Sequence, residues 1–260
     1  LGKTVLLDKS FNITGFQKIN EHDIFTELHE FQYLDDDTII QIGSKSHKYD
    51  NQNVDSGIIS ILNQKNGTNF IWDSIDHVSP DSSIVPMKEW GMKSNDYFHM
   101  NAVRILSDGN YLASARHTQT IMKIDKLSGE IIWHMGKGSL NNFKFINDPY
   151  NGFSHQHAPE ELDNKNILIW DNGIGSIENG SRVCEYKIDE NKLTATLVWS
   201  KEFKDLQANV AGNCYPIDGN NFIAAFGSQG YIQEFNKDGS NLLSIDPGGL
   251  IYQVMKTKVN

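Results

Sequence analysis

The chain has 260 residues, of which 38% are hydrophobic and 10% aromatic; this is enough to bury a core and argues against extended disorder. The net charge of −10 argues against a nucleic-acid backbone as partner. No stretch approaches the roughly 20 apolar residues of a membrane-spanning helix. We therefore expect one folded domain over residues 1–260.

One pattern recurs four times along the chain, and each copy contains four short strands separated by turns rich in Asp, Asn and Gly. Such turns are typical of antiparallel hairpins. The copies occupy residues 28–74, 98–136, 155–200 and 212–246. Repeated four-stranded antiparallel sheets predict an all-β fold, a β-propeller, with four complete blades around a channel.

Both ends of the chain contain strand-like segments outside these copies. KTVLLD and ITGFQKI resemble the third and fourth strands of an earlier blade whose first two strands are absent. GLIYQVMK, after the fourth copy, reads as one more strand, suited to closing the ring. We expect the natural polypeptide to extend upstream of Leu1 and to form about six blades, within the usual range.

A histidine stands at the start of the first strand in three successive copies. These are His29, His99 and His157, and Asn213 takes the equivalent place in the fourth copy. Because the first strands line the channel, we expect the three imidazoles to face one channel mouth. The fourth copy offers Asn213 instead of a histidine, so the site should be asymmetric across the channel. Arg116, one of only three arginines, ends the second strand of its blade and reaches the same mouth. Other residues expected there are Asp171, Asn172, Gly43 and Gly227.

Several histidines and an arginine suit a tetrahedral oxyanion such as sulfate or phosphate, which Arg grips with two hydrogen bonds. A zinc or copper site on the three histidines is the weaker alternative, because the guanidinium repels a divalent cation unless an anion lies between them. We predict no metal and no cofactor, since neither a P-loop nor a dinucleotide glycine pattern is present. For any one histidine alone, a hydrogen-bonding role in a turn is the alternative.

The remaining histidines are expected to be structural. His117 and His155 adjoin the site residues but should point the opposite way along an extended strand. The others in this class are His77, His22, His47 and His134, the last three at the surface or in loops.

Tryptophans and cysteines also occupy informative places in the repeat. The tryptophans that recur in the fourth strands predict packing between blades, and they are Trp72, Trp133 and Trp199. Cys184 and Cys214 lie on adjacent predicted blades, and both one disulfide and two free buried thiols remain open.

The longest specific segment, from His99 to Gly136, and the segments HEFQYLDDDTII, FSHQH, ILIWDNG and SRVCEY resemble the arylsulfotransferase family of propellers. The resemblance covers nearly the whole chain. It implies a six-bladed enzyme that moves a sulfuryl group from an aryl sulfate to a phenol through a sulfated histidine, without a nucleotide donor. It also implies an extracellular or periplasmic location.

Site residues follow from this resemblance by motif. His157 matches the nucleophile of the family's Q-H pair, while His29, His99 and Arg116 match residues that bind sulfuryl oxygens and assist proton transfer. Which histidine donates the proton stays open. The family usually has Asp after the Q-H pair, whereas Ala158 stands here. The alternative is therefore a catalytically inactive propeller that binds sulfated or phenolic ligands or a protein partner.

Overall fold

The structure is a computed structural model that describes residues 4–8, 10–19, 23–85, 95–218 and 220–256. Within these residues the chain forms β-strands joined by turns, with only short 3₁₀ helices between them. Four sheets, each built on four successive antiparallel strands, confirm the predicted all-β propeller fold and its four complete blades.

The strands follow the repeat predicted from the sequence. A two-stranded sheet comes first, with β1 (Thr4–Leu7) and β2 (Ile13–Gln17). The first complete blade contains β3 (Ile24–Tyr33), β4 (Thr38–Tyr49), β5 (Gln52–Asn63) and β6 (Gly67–Asp73). After the short β7 (Asn95–Asp96), the second blade contains β8 (Met100–Ile105), β9 (Tyr111–Ala115), β10 (Thr120–Ile124) and β11 (Ile131–Gly136).

The third and fourth blades repeat this order. After β12 (Lys144–Ile146), the third contains β13 (His157–Glu161), β14 (Ile167–Asp171), β15 (Gly180–Asp189) and β16 (Thr194–Lys204). The fourth contains β17 (Asn213–Asp218), β18 (Asn221–Ala225), β19 (Ile232–Asn236) and β20 (Asn241–Ile245). The first strands of successive blades contact one another, β3 with β8, β8 with β13 and β13 with β17, which makes them the inner strands.

Two short strands in the connections between blades were not predicted. β7 pairs in parallel with β5, and β12 pairs in parallel with β16. Each belongs to the segment that links one blade to the next, so each adds a fifth strand to the sheet it joins.

The last segment of the chain differs from the prediction, because residues 249–256 form no strand. Its backbone makes isolated hydrogen bonds instead of a ladder: Ile251 donates to the carbonyl of Gly227, and Gly212 donates to that of Tyr252. The Asn213 side chain both accepts from and donates to the backbone of Val254, at 2.8 Å each. A side-chain clamp thus holds the segment beside the channel where a strand was expected.

The hydrophobic core lies between the faces of neighbouring blades, as the recurrent tryptophans predict. Trp72 of the first blade donates from Nε1 to the carbonyl of Gly129 in the second, at 2.9 Å. Trp199 makes the equivalent bond to the carbonyl of Lys237 in the fourth blade, at 3.0 Å. Trp72 and Trp199 therefore each join two blades by apolar packing and by one directional bond. Trp133 packs in the core between the second and third blades, and its buried Nε1 has no partner within the described part of the chain.

The two cysteines and the question of a membrane helix can be answered directly. Cys184 and Cys214 are both buried and free, which decides between the two alternatives in favour of free thiols. Among the described residues, no helix is long and apolar enough to cross a membrane.

Irregular pairing places the histidines at the channel mouth. In the first three blades the register between the first and second strands shifts close to the histidine: between Thr26 and Phe31, between Met100 and Ala102, and between His157 and Glu160. A bulge turns a side chain away from the regular alternation of a strand. In the fourth blade the shift lies instead at the far end of the strand, beyond Pro216.

Candidate functional site at the channel mouth

His157 is the most buried of the three predicted site histidines, with 3% of its surface exposed. Its Nδ1 lies 2.7 Å from Oδ1 of Asn172. The orientation of this amide is fixed, because Nδ2 of Asn172 donates to the carbonyls of Ala208 and Ala211. Oδ1 must therefore accept, Nδ1 carries the proton, and the lone pair of His157 is on Nε2.

The protonation of His157 is set by its surroundings. Burial lowers its pKa to about 3, and the charges of Arg116, His99 and His29 act in the same direction, against the hydrogen bond to Asn172. These electrostatic effects also place the four predicted site residues near one another. His157 is therefore neutral at pH 7, with an unprotonated Nε2.

His99 is held by a carboxylate from the unpredicted strand β7. Its Nδ1 lies 2.5 Å from Oδ2 of Asp96, and its backbone N–H donates to Oδ1 of the same residue at 2.8 Å. Burial would raise the pKa of Asp96, but its hydrogen bond and charge interaction with His99 lower it below its usual value. Asp96 is thus ionised and fixes the ring of His99 with Nδ1 protonated, leaving Nε2 toward other partners.

His29 lies between His99 and the last segment of the chain. Its ring meets the ring of His99 edge to face, with centroids 5.1 Å apart, and meets Tyr252 in the same way at 5.2 Å. Nδ1 of His29 is 3.5 Å from Oε2 of Glu27, and the hydrogen bond of His29 lowers the pKa of that carboxyl. Tyr252, from the segment expected to be a strand, therefore forms an aromatic wall of the site.

Arg116 differs from the other two arginines in its partners. Arg104 pairs with Glu30 and Glu160, and Arg182 pairs with Asp148 and Asp171. Among the described residues, Arg116 has no carboxylate within salt-bridge distance; it donates only to the carbonyl of Asn209, at 3.1 Å, and its Nε is buried without a partner. Burial lowers its pKa, yet a guanidinium stays protonated at neutral pH. A cation with unused donors is suited to an anionic ligand.

Four other residues were expected at the mouth, and they differ in what they contact there. Asn172 contacts His157 as described, whereas the side chain of Asp171 is fully buried and accepts from Nε of Arg182 at 2.8 Å. Asp171 therefore belongs to an ion pair within its blade, and its placement at the mouth was wrong. At Gly43 and Gly227 an added Cβ would lie 2.7 Å from Ile19 and 1.9 Å from the carbonyl of Val210, so both glycines permit close packing.

Two histidines regarded as structural lie beside the site. The ring of His117 stacks on that of His99 with centroids 4.5 Å apart, so the expectation that it points away was wrong. Left-handed φ angles at His99 and His155, 51° and 54°, break the extended geometry on which that expectation rested. Burial, then the charges of Arg116 and His117, lower the pKa of His155 to about 4.

Four other histidines were expected to be structural, three of them, His22, His47 and His134, at the surface or in loops. His77 stacks on Trp72 with an interplanar angle of 7° and is structural, as expected. His47 lies in β4, with Nε2 3.0 Å from Oδ2 of Asp73, so it is not a loop residue. His134 lies in β11, where burial lowers its pKa to about 4. His22 falls outside the described residues.

A comparison with protein families decides what this constellation belongs to. The family model described as "Arylsulfotransferase (ASST)" matches residues 9–254, nearly the whole chain. The chain belongs to the arylsulfotransferase family. This agrees with the resemblance carried by the H-E-F, H-x-N, S-x-R and Q-H segments, and it implies aryl compounds as the substrates of the family. No curated protein matches the chain.

Solved structures similar to this arylsulfotransferase-family chain are distant in sequence. They include a protein of unknown function from Bacteroides caccae, with 13% identity over 75% of this chain and 56% of the other, TM-score 0.44. BamB from Moraxella catarrhalis is 10% identical over 95% of this chain and 59% of its own, with a TM-score of 0.44. A virginiamycin B lyase from Staphylococcus aureus is 14% identical over 86% of this chain and 56% of its own, with a TM-score of 0.42. The chain thus covers 56–59% of the length of these three proteins.

Proposed function

We propose that this chain transfers a sulfuryl group from an aryl sulfate to a phenol through a covalent sulfohistidine at His157. The observation that carries the proposal is the hydrogen bond from Nδ1 of His157 to Asn172, which leaves a neutral Nε2 lone pair beside the unpaired cation Arg116. Membership of the arylsulfotransferase family supports the substrate class. A nucleophile oriented by a second group and placed next to an anion-binding cation is the general form of covalent catalysis.

In the first half-reaction, the Nε2 lone pair of His157 attacks the sulfur of the aryl sulfate. The N–S bond forms, the bond between sulfur and the aryl oxygen breaks, and the electron pair of the broken bond leaves with the phenolate. The ring then carries the sulfuryl group on Nε2 and keeps the proton on Nδ1. Asn172 stabilises this cationic ring through its amide oxygen, 2.7 Å from Nδ1.

Arg116 binds the non-bridging sulfuryl oxygens. Its free donors can form two parallel hydrogen bonds to such oxygens, and no carboxylate among the described residues neutralises it. Charge on these oxygens in the transition state is stabilised by a donor that is already in place and half-buried, which is where electrostatic stabilisation is strongest.

His99 supplies the proton to the leaving phenolate. Asp96 holds its Nδ1 at 2.5 Å and so fixes the ring, which leaves Nε2 as the nitrogen that transfers the proton. His29 has a longer contact with its carboxylate, 3.5 Å from Glu27, and is better suited to binding a sulfuryl oxygen. In the second half-reaction, His99 takes the proton of the acceptor phenol, whose oxygen attacks sulfur while the N–S electron pair returns to His157.

The experiment that tests this function is a steady-state assay with 4-nitrophenyl sulfate as donor and phenol as acceptor. We expect parallel double-reciprocal lines, the pattern of a two-step transfer, and loss of turnover in His157→Ala. The matched control is His47→Gln, which alters a histidine–carboxylate pair in the first blade, outside the channel mouth. Binding of 4-nitrophenyl sulfate without release of nitrophenol would contradict the proposal and favour a propeller that only binds its ligand.

A further inference from the structure

His99 and His117 form a pair of stacked imidazoles around one carboxylate. Their rings lie 4.5 Å apart, centroid to centroid, at 29°. One ligand atom from each of Asp96, His99 and His117 can be chosen so that all lie within 4.8 Å of one another. His117 is 6% exposed and has no part in the proposed sulfuryl transfer. The pair therefore needs a separate explanation.

Both rings are anchored as metal-binding histidines are. Nδ1 of His99 lies 2.5 Å from Oδ2 of Asp96, and Nδ1 of His117 lies 2.6 Å from the backbone carbonyl oxygen of the same residue. Metal-ligating histidines usually donate their other ring N–H to a carboxylate or a backbone carbonyl, which fixes the tautomer and makes the free nitrogen more basic. Here each ring keeps Nε2 as its free lone pair.

The local charge favours a cation at this place. Two carboxyl groups lie beside these rings: Oδ2 of Asp96 is 2.5 Å from Nδ1 of His99, and Oε2 of Glu27 is 3.5 Å from Nδ1 of His29, whose ring is 5.1 Å from that of His99. Arg116 is the opposing cation, and its guanidinium donates to the carbonyl of Asn209. Two carboxylates against one guanidinium leave one negative charge, which a metal ion can balance.

We infer that His99 and His117 bind one late transition-metal ion through their Nε2 atoms, with Asp96 supporting both rings. Imidazole nitrogens suit Zn²⁺, Ni²⁺ and Cu²⁺ and not Mg²⁺ or Ca²⁺, which prefer oxygen ligands. Two nitrogens that ligate one Zn²⁺ at about 2.1 Å lie at most about 4.2 Å apart, and the centroids of the two stacked rings are 4.5 Å apart.

This site has a consequence for catalysis that rests on the proposed function. A metal ion on Nε2 of His99 occupies the atom that would carry the proton for the leaving phenolate. The ion therefore blocks this role of His99 and acts as a reversible inhibitor of sulfuryl transfer.

The test is titration calorimetry of tag-free protein with ZnCl₂ at pH 7.5 and no sulfate ester present. We expect one ion per chain, with affinity reduced about tenfold or more in His117→Gln and about 10–100-fold in Asp96→Asn, whose carboxylate supports the ligand. His47→Gln is the matched control, because His47 also pairs with a carboxylate, Asp73, at 3.0 Å but forms no such cluster with a second histidine within the part of the chain that the structure describes. MgCl₂ should give no heat of binding.

The outcomes separate the site from the transfer reaction. Zn²⁺ binding that is unchanged in both His117→Gln and His99→Gln overturns the site, provided that thermal unfolding shows both variants folded. Inhibition of nitrophenol release by Zn²⁺ that disappears in His117→Gln supports the inhibitory role of the ion at His99. Zn²⁺ binding without inhibition of nitrophenol release overturns the inhibitory role of the ion but not the site. If the chain transfers no sulfuryl group, calorimetry still tests whether the metal site exists.

Discussion

Oδ1 of Asn172 accepts from Nδ1 of His157 at 2.7 Å, while Nδ2 of the same amide donates to two backbone carbonyls. The residue that orients the candidate nucleophile therefore comes from the end of the second strand of its blade, not from the position after the Q-H pair. Ala158 follows His157 where the family usually has Asp, and Asn172 supplies the missing acceptor. Unlike a carboxylate, the amide fixes this tautomer without placing a negative charge beside the ring, so it favours the imidazolium less.

Removing this amide should reduce transfer more than it reduces stability. In Asn172→Ala we expect turnover to fall about 10²–10³-fold, because the Nδ1 proton loses its shorter hydrogen bond and keeps only the carbonyl of His155, at 3.1 Å, so the ring is held less firmly. Asn166→Ala is the matched control, since Asn166 lies in the turn between the first and second strands of the same blade and its Nδ2 donates to Glu185 at 2.7 Å. Equal losses of activity in the two variants would argue against an orienting role.

Asn172→Asp should change the pH dependence in a defined direction. A carboxylate beside Nδ1 stabilises the imidazolium, so it raises the pKa of His157 above its present value of about 3. Because neutral His157 is the reactive form, the acidic limb of the kcat profile should move to higher pH. A profile identical to that of the wild type would show that the titration of His157 does not limit the rate.

Transfer activity should not tolerate even lysine in place of Arg116. Arg116→Lys keeps the charge but loses the planar pair of donors, and we expect kcat/KM for the donor to fall about 10²-fold or more. Arg104→Lys provides the contrast, because Arg104 is saturated by Glu30 and Glu160 and should affect stability instead of turnover. Measuring kcat/KM and thermal unfolding for both variants separates the two effects. Wild-type turnover in Arg116→Lys would contradict anion binding by the guanidinium.

Tyr252 should act through its ring and not through its hydroxyl. The ring lies 5.2 Å from that of His29, whereas the hydroxyl has only a long bond of 3.4 Å to the carbonyl of Asn101. Tyr252→Phe should therefore keep KM for the aryl donor near the wild-type value, and Tyr252→Ala should raise it about tenfold, a cost of about 1.4 kcal/mol. A large effect of the Phe variant would assign the role to the hydroxyl.

Acid should destabilise the fold through its neutral buried histidines. Burial lowers the pKa of His117, His134 and His155 to about 4 and that of His157 to about 3. The unfolded chain binds these protons from about pH 6.5 downward, so the free energy of unfolding should fall as pH decreases from 6.5 toward 4. The slope reaches at most about 1.4 kcal/mol per pH unit for each histidine.

Urea denaturation at pH 7.5, 6.5 and 5.5 measures this slope, and His134→Gln should reduce it. His134 lies in an outer strand, and burial is the cause of its shifted pKa, so its contribution can be removed without touching the channel mouth. A free energy of unfolding that stays constant from pH 7 to pH 5 would contradict the buried, neutral state of these rings.

The repeat made much of this structure predictable from the sequence. Strand positions follow from short apolar runs between Asp, Asn and Gly turns, and the return of His29, His99 and His157 at one point of the repeat places them together. Arg116 could be placed by the same geometry. The predicted strands and blades are confirmed because local pattern and blade topology agree.

The partners of these residues could not be predicted, because they come from segments outside the repeat. Asp96 belongs to a short strand in a connection between blades, and Tyr252 to a segment held by the side chain of Asn213. His117 stacks on His99 because the chain takes a left-handed φ at His99, which no sequence pattern indicated. Asp171 was misplaced because its neighbour Asn172, and not Asp171 itself, points toward His157.

The most direct measurement of the central claim is mass spectrometry of the peptide containing His157 after rapid mixing with 4-nitrophenyl sulfate in the absence of acceptor. The proposed mechanism predicts one sulfuryl group on His157, absent from His157→Ala and discharged when phenol is added. Release of nitrophenol at the wild-type rate with the sulfuryl group on another residue, or on none, would contradict it.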